Sequence, residues 1–268
     1  MSFHNPPADP LEYVAARYEG DAPSMVAAAL KNGRTRLAVH PVVTARAPHH
    51  ILYHEGLVRL LDPRGRVIPA RFFVGSVEET ALGRALDTAA LRLGLAALRR
   101  YPTLVLSLNM SLRSMGDRHW RATLDAALDS AAIGHRLIFE VGTASAMALP
   151  ELLADLMSVL RPRGVTFALD DFGTAPIDLP RLVASDFDLV KIHRQITAGI
   201  TDAADQEVHA EVLIDVAEHL GMEVIAQGIE TAEQARLLSR LGAQYLQGYS
   251  FGAPKLLSLG PPPSTRPV

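Results

Sequence analysis

The 268-residue chain contains no cysteine, which excludes disulfides and cysteine-ligated zinc and suits a reducing cytoplasm, the expected location. A large excess of charge of either sign is also missing. The net charge is −3 and no sustained basic run occurs, so nucleic acid is not an expected partner; Arg99 and Arg100 read as a solvated helix end. There is no long uncharged apolar run, so no membrane span is expected, and the first residues lack the pattern of a secretory signal. What is plentiful is apolar material, 49% of residues. That is ample for the core of one barrel-sized domain with a short extension.

The most informative stretch is Phe167-Ala168-Leu169-Asp170-Asp171-Phe172-Gly173-Thr174. A short apolar run reads as a buried strand. Two carboxylates at its end are costly to bury unless they are paired or bind a cation. The pattern recurs. Residues 103–108 run into Asn109, 137–139 into Glu140, 165–169 into Asp170 and Asp171, 189–190 into Lys191, 222–226 into Gln227, and 245–246 into Gln247. Segments of helical periodicity lie between these runs. Val208, Val212, Val216 and Leu220 fall on one face, with Gly221 as the C-terminal cap, and Thr231-Ala-Glu-Gln234 is a capping box. Strands alternating with helices imply a parallel sheet. Polar residues at successive strand ends are where a TIM-type barrel keeps its chemistry; an open doubly wound sheet, the rival, would gather ligands at one crevice.

Three segments are expected: an extension over residues 1–35 whose helices pack on the barrel, the barrel at 36–259, and a proline-rich disordered tail at 260–268. Some residues invite a sharper reading than they support. His49, His50 and His54 have no accompanying zinc-type spacing and read as loop or solvent histidines. Trp120 reads as packing on a helix after Asp117. Glu230 reads as an acidic residue at the positive end of the last helix.

Five motifs, in order and at barrel-like spacing, resemble the EAL domain family of cyclic di-GMP phosphodiesterases. Glu55-Gly-Leu-Val-Arg59 resembles the signature Glu-x-Leu-x-Arg. Asp170-Asp-Phe-Gly-Thr174 is similar to the Asp-Asp-Phe-Gly-Thr-Gly loop, Lys191-Ile-His-Arg194 to Lys-Ile-Asp-Arg, Gln227-Gly-Ile-Glu230 to Glu-Gly-Val-Glu, and Gln247-Gly-Tyr249 to Gln-Gly-Tyr. The resemblance implies a TIM-like (β/α)8 barrel of the EAL type, with the first strand antiparallel to the rest. It implies hydrolysis of cyclic di-GMP to linear pGpG with Mg²⁺ or Mn²⁺, chemistry that suits a two-cation site of oxygen ligands. One metal site would use Glu55, Asn109, Glu140 and Asp170. The second would use Asp170, Asp171 and the residue at 227. Lys191 would help position the attacking water, Gln247 would support the site, and Arg59 would contact a ligand phosphate. A homodimer through the region near residues 170–176 and a regulatory protein partner belong to the same implication.

The chain departs from this pattern in five places. Gln227 replaces the first glutamate of Glu-Gly-Val-Glu, so the second metal site is expected to be weak. Thr143 replaces the second glutamate of a Glu-x-x-Glu that begins at Glu140. Ala175-Pro176 replaces the glycine that ends the Asp-Asp loop and the residue after it; a position needing positive φ would be strained by alanine. His193 replaces an aspartate, and His40 stands where the family often has a glutamine that touches guanine. Gly56 for the alanine of the signature reads as minor. Three functions follow in order of preference: a cyclic di-GMP or metal binder with weak or lost phosphodiesterase activity, an active phosphodiesterase, and a protein-interaction barrel without nucleotide.

Overall fold

The computed structural model describes residues 21–128 and 131–260; the expectations for residues 1–20 and 261–268 lie outside these. The strands are β1 (Thr35–Thr44), β2 (Ile51–Leu61), β3 (Val67–Pro69), β4 (Leu106–Asn109), β5 (Leu137–Gly142), β6 (Thr166–Phe172), β7 (Leu189–Ile192), β8 (Glu223–Ala226), β9 (Tyr245–Gln247) and β10 (Lys255–Leu256). Eight of them close a ring in the order β1-β9-β8-β7-β6-β5-β4-β2, and β2 pairs back to β1. Neighbours from β2 round to β9 are parallel. Strand β1 is antiparallel to both of its neighbours in the ring, β2 and β9. This is a TIM-like barrel with a reversed first strand, and ring closure excludes the open sheet. Strands β3 and β10 add short edges beside β2 and β1.

Strand alternation explains where the site sits. Side chains two residues apart share a face, and in a barrel that face is the inside or the outside. Val42, Tyr53, Ile138, Ala168, Leu189 and Ile225 form one buried cluster, with Val105 and Tyr245 against it. These residues come from seven barrel strands and, at Val105, from the position just before β4, and they plug the interior. Two residues further along the parallel strands come Glu55, Ser107, Glu140, Asp170, Lys191, Gln227 and Gln247. On reversed β1 the corresponding residue is His40, two positions before Val42. A polar layer therefore rests on an apolar plug. The intervening outward residues, such as Leu108, Phe139, Leu169, Val190 and Leu246, pack beneath the helices in the main core.

The helices follow their local signals. Thr80 accepts from Leu82 N and caps the helix Ala81–Arg100. The capping box between Thr231 and Gln234 forms at the start of Ala232–Arg240. Gly221 ends Ala204–His219 at φ 74°, a left-handed conformation that glycine adopts without strain. Trp120 is buried and its ring lies 5.7 Å from that of Phe139. The helix Ala22–Lys31 packs Val26 and Ala29 with Leu60, Ile68 and Phe73.

Three expectations need correction. The face of helix Ala204–His219 that enters the core carries Ala210, Leu213, Ile214 and Ala217; Val208 and Val212 lie on the outer face, 58% and 53% exposed. Leu213 and Ile214, with Ala210 and Ala217, join the main core, which turns the valine stripe at 208 and 212 to the surface. Strain in the Asp-Asp loop does not fall on Ala175. Among described non-glycine residues positive φ occurs at Asp171 (57°) and Asp186 (48°), and Gly173 takes φ 92°. The turn that frees β6 from its ladder is made one residue after Asp170, at a register break before Phe172. Finally, Gly56 is not a minor change. A Cβ there would sit 2.9 Å from Ser107 O and 2.8 Å from Leu108 Cδ2, so β4 approaches β2 closely enough to require glycine.

Candidate active site

The polar layer gathers Glu55 on β2, Asn109 on β4, Glu140 on β5, Asp170 on β6 and Lys191 on β7 around the centre of the barrel mouth. Lys191 is fully buried. Its Nζ lies 2.6 Å from Glu140 Oε2, 3.5 Å from Glu55 Oε2 and 3.8 Å from Asp170 Oδ1. One ammonium thus faces three carboxylates. Amide and hydroxyl donors complete the layer. Gln247 Nε2 donates to Glu55 Oε2 at 2.6 Å and also reaches His40 Nδ1 at 3.3 Å. Asn109 Nδ2 donates to Glu55 Oε1 at 3.3 Å. Ser107 Oγ donates to Glu140 Oε1 at 2.6 Å, with Tyr53 OH 3.5 Å away.

The charge balance is uneven. Burial would lower the Lys191 pKa, but Asp170, Glu140 and Glu55 together push it well above the usual ammonium range. Burial would raise Glu55, yet Lys191 and the Gln247 and Asn109 hydrogen bonds hold it below the usual carboxyl value. Glu140 goes the other way. Burial pushes it up to about 8; Lys191 opposes this, while Glu55 and Asp170 reinforce it. Asp170 is raised by burial, with Lys191 opposing and Glu55 and Asp171 adding to the rise. Three carboxylates against one ammonium leave surplus negative charge, which a proton or a cation must offset.

This surplus and the hard oxygen donors fit a divalent cation in kind for the set Glu55, Asn109, Glu140 and Asp170. As they stand, the side chains are closed on one another: among the described residues no group of three or more His, Asp or Glu side chains is arranged to hold a metal ion. A cation there would displace the Lys191 and Asn109 contacts. The second set, Asp170, Asp171 and Gln227, does not fit. Gln227 turns Nε2 toward Asp170 Oδ1 at 3.2 Å, so an N–H meets the carboxylate where the family pattern has a second carboxylate. The reverse amide orientation would face oxygen to oxygen. Asp171 points outward with its side chain 54% exposed, and His193 Nε2 stands 3.8 Å from its Oδ1. Thr143 is fully buried and donates Oγ1 to the Asp170 carbonyl at 2.7 Å. It holds the strand end through the backbone rather than through a carboxylate.

Above this floor lies a cavity of about 310 Å³, whose walls include His40, Arg59, Asp171, His193, Gln227 and Tyr249. Arg59 donates to Val58 O at 2.9 Å, and burial lowers its pKa. Burial also lowers His40, against the opposing pull of Glu55. His193 caps the short helix Arg194–Thr197 by accepting from Gln195 N. Of the histidines read as non-functional, His49 and His50 are exposed and His54 lies on β2. Glu230 lines the same cavity, and its N–H donates to Gln234 Oε1. Every site residue read from the sequence reaches this floor or this cavity. Sequence reasoning missed Tyr53 and Ser107, both bonded to Glu140, although each lies two residues before a recognised site residue on the same strand face.

The chain matches the EAL domain family over residues 24–254. NbdA of Pseudomonas aeruginosa, a cyclic di-GMP phosphodiesterase, is 27% identical over 233 residues, 84% of this chain and 30% of NbdA. The chain spans less than a third of the length of the curated relatives it matches first. The PaMucR phosphodiesterase, solved as a c-di-GMP complex, is 25% identical with a TM-score of 0.75, covering 88% of this chain and 97% of that one. The EAL domain of FimX from Pseudomonas aeruginosa, solved bound to c-di-GMP, superposes with a TM-score of 0.78 at 24% identity over 88% of this chain and 97% of that one, a likeness of fold. No helix among the described residues is long and apolar enough to cross a membrane. The reversed first strand, the strand-end carboxylates and the match over residues 24–254 agree: the chain belongs to the EAL domain family of cyclic di-GMP signalling proteins and phosphodiesterases.

Proposed function

We propose that this barrel binds cyclic di-GMP and hydrolyses it slowly or not at all. The observation that carries the reading is the hydrogen bond from Gln227 Nε2 to Asp170 Oδ1. A neutral amide cannot serve as a base, and its N–H occupies the carboxylate oxygen that a second cation would need. A Mg²⁺ or Mn²⁺ ion, when bound, would neutralise a phosphate and acidify a water. Glu55, Asn109, Glu140 and Asp170 are the residues that would hold it. The chain's own side chains keep a binding role regardless. Arg59 offers a guanidinium fork to a phosphate, Gln247 and Asn109 hold the Glu55 carboxylate in place, and Lys191 keeps the buried carboxylates from repelling one another.

Isothermal titration calorimetry with cyclic di-GMP, with and without Mg²⁺, followed by analysis for pGpG, tests this. Saturable heat with little product supports it; absence of binding at saturating nucleotide would move the interaction-barrel reading to first place. The retained Glu55, Asn109, Glu140, Asp170 and Lys191 favour the second reading, an active phosphodiesterase, which brisk product formation would establish. We propose the homodimer on the surface beside residues 170–176, where Leu179 and Val183 are 48% and 62% exposed one helical turn apart; sedimentation of Leu179→Glu against wild type tests it.

A further inference from the structure

We infer that Arg194 acts with Arg59 as a two-point clamp, each guanidinium taking one phosphate of a cyclic dinucleotide. The inference rests on the nucleotide reading above and adds a positioning residue that selects a two-phosphate ligand. Arg59 rises from β2 and Arg194 stands just after β7. In the eight-strand ring the path β2-β1-β9-β8-β7 is four steps of eight, so the two residues sit on opposite walls. Both line the same 310 Å³ cavity, above the Glu55 and Gln227 floor.

The two arginines have donors to spare. Arg59 makes one side-chain hydrogen bond, to Val58 O, and its burial favours an anion beside it. Arg194 makes no side-chain hydrogen bond or ion pair with any described residue. Its base is nevertheless fixed. His193 caps the turn at Gln195 N, and the loop after β8 presses on it so closely that a Cβ at Gly228 would fall 2.6 Å from Arg194 Cβ and 3.2 Å from its Cα. An anchored, unpaired guanidinium opposite a second one matches a ring-shaped diester with a phosphate on each side. A mononucleotide can engage only one wall.

Calorimetry on the full chain with cyclic di-GMP, and with GMP as a one-phosphate probe, tests the clamp. Arg194→Ala should weaken cyclic di-GMP binding about tenfold to a hundredfold, the scale of one charge-assisted hydrogen-bonded contact, and change GMP binding less than about threefold. It should also flatten the salt dependence of cyclic di-GMP affinity, since one ion pair is lost. Arg194→Lys should recover part of the loss. Arg194 is exposed, so the melting temperature should stay at the wild-type value. Cyclic di-GMP affinity of Arg194→Ala within twofold of wild type would overturn the inference and leave the nucleotide reading standing, and an equal loss for both ligands would overturn it too. A wild-type chain that binds neither nucleotide would overturn both.

Discussion

Replacing Gln227 by glutamate would put a carboxylate where an amide N–H now meets Asp170 Oδ1 at 3.2 Å. Two like charges at that separation repel by about 5 kcal/mol at an effective dielectric of 20. Asp170 is already raised by burial, so the pair must take up a proton, move apart or share a cation. Without divalent metal, relaxation should leave a net cost of about 1–3 kcal/mol, and Gln227→Glu should melt several degrees below wild type. Mn²⁺ should then raise the melting temperature of the variant much more than that of wild type, because the variant adds a carboxylate at 227 facing Asp170, where wild type presents an amide N–H. If loss of that site is what silences the chemistry, pGpG formation with Mn²⁺ should rise roughly 10²–10⁴-fold, equivalent to about 3–5 kcal/mol of barrier. The assays are thermal melts across a Mn²⁺ titration and chromatography of the product. A variant whose melt ignores Mn²⁺ and whose turnover equals the parent's would refute the reasoning and direct attention to His40 and His193.

Other perturbations probe separate parts of the account. Arg59→Ala should weaken cyclic di-GMP binding by about 1.5–3 kcal/mol, read by calorimetry. Thr143→Glu would place a carboxylate at a fully buried position beside the Asp170 carbonyl and should destabilise the fold by about 2 kcal/mol or more in a denaturant titration; added to Gln227→Glu it should help turnover only if the Asp171 loop moves to receive it. Asp87 accepts from Ser114 Oγ at 2.6 Å, and burial pushes its carboxyl up to about 6 from 3.8. The folded state then holds a proton that the unfolded state has released, so this group's contribution is complete below pH 4 and is lost as pH rises to 6, by up to about 3 kcal/mol. Asp87→Asn should remove that slope from the pH dependence of unfolding.

Much of this was legible because the chemistry rides on strand alternation. Each parallel strand carries an apolar residue inside the plug and a polar one two positions on, so Glu140, Asp170, Lys191 and Gln247 could be read as strand-end residues without knowing their partners. The same rule, carried one step back, would have found Tyr53 from Glu55 and Ser107 from Asn109. What the strand pattern could not convey was contact across the barrel. That Lys191 faces three carboxylates, or that Gln227 turns its N–H to Asp170, depends on ring closure, which brings residues 57 positions apart within hydrogen-bonding distance. Helix orientation was ambiguous for a related reason. Val208 and Val212 form a regular stripe, yet Ala210, Leu213, Ile214 and Ala217 form another, and only packing against the wall decides between them. Gly56 looked interchangeable with alanine until the approach of Ser107 and Leu108 was known.

The central claim is that ligand binding has been kept while hydrolysis has been weakened. The most direct test is a single reaction of the wild-type chain with cyclic di-GMP and Mn²⁺, in which bound nucleotide is measured by calorimetry and pGpG is counted by chromatography, beside Gln227→Glu under the same conditions. The account predicts saturable binding by the wild type with turnover at least about a hundredfold below that of the variant. Turnover by the wild type equal to or faster than that of Gln227→Glu, or no bound nucleotide at all, would contradict it.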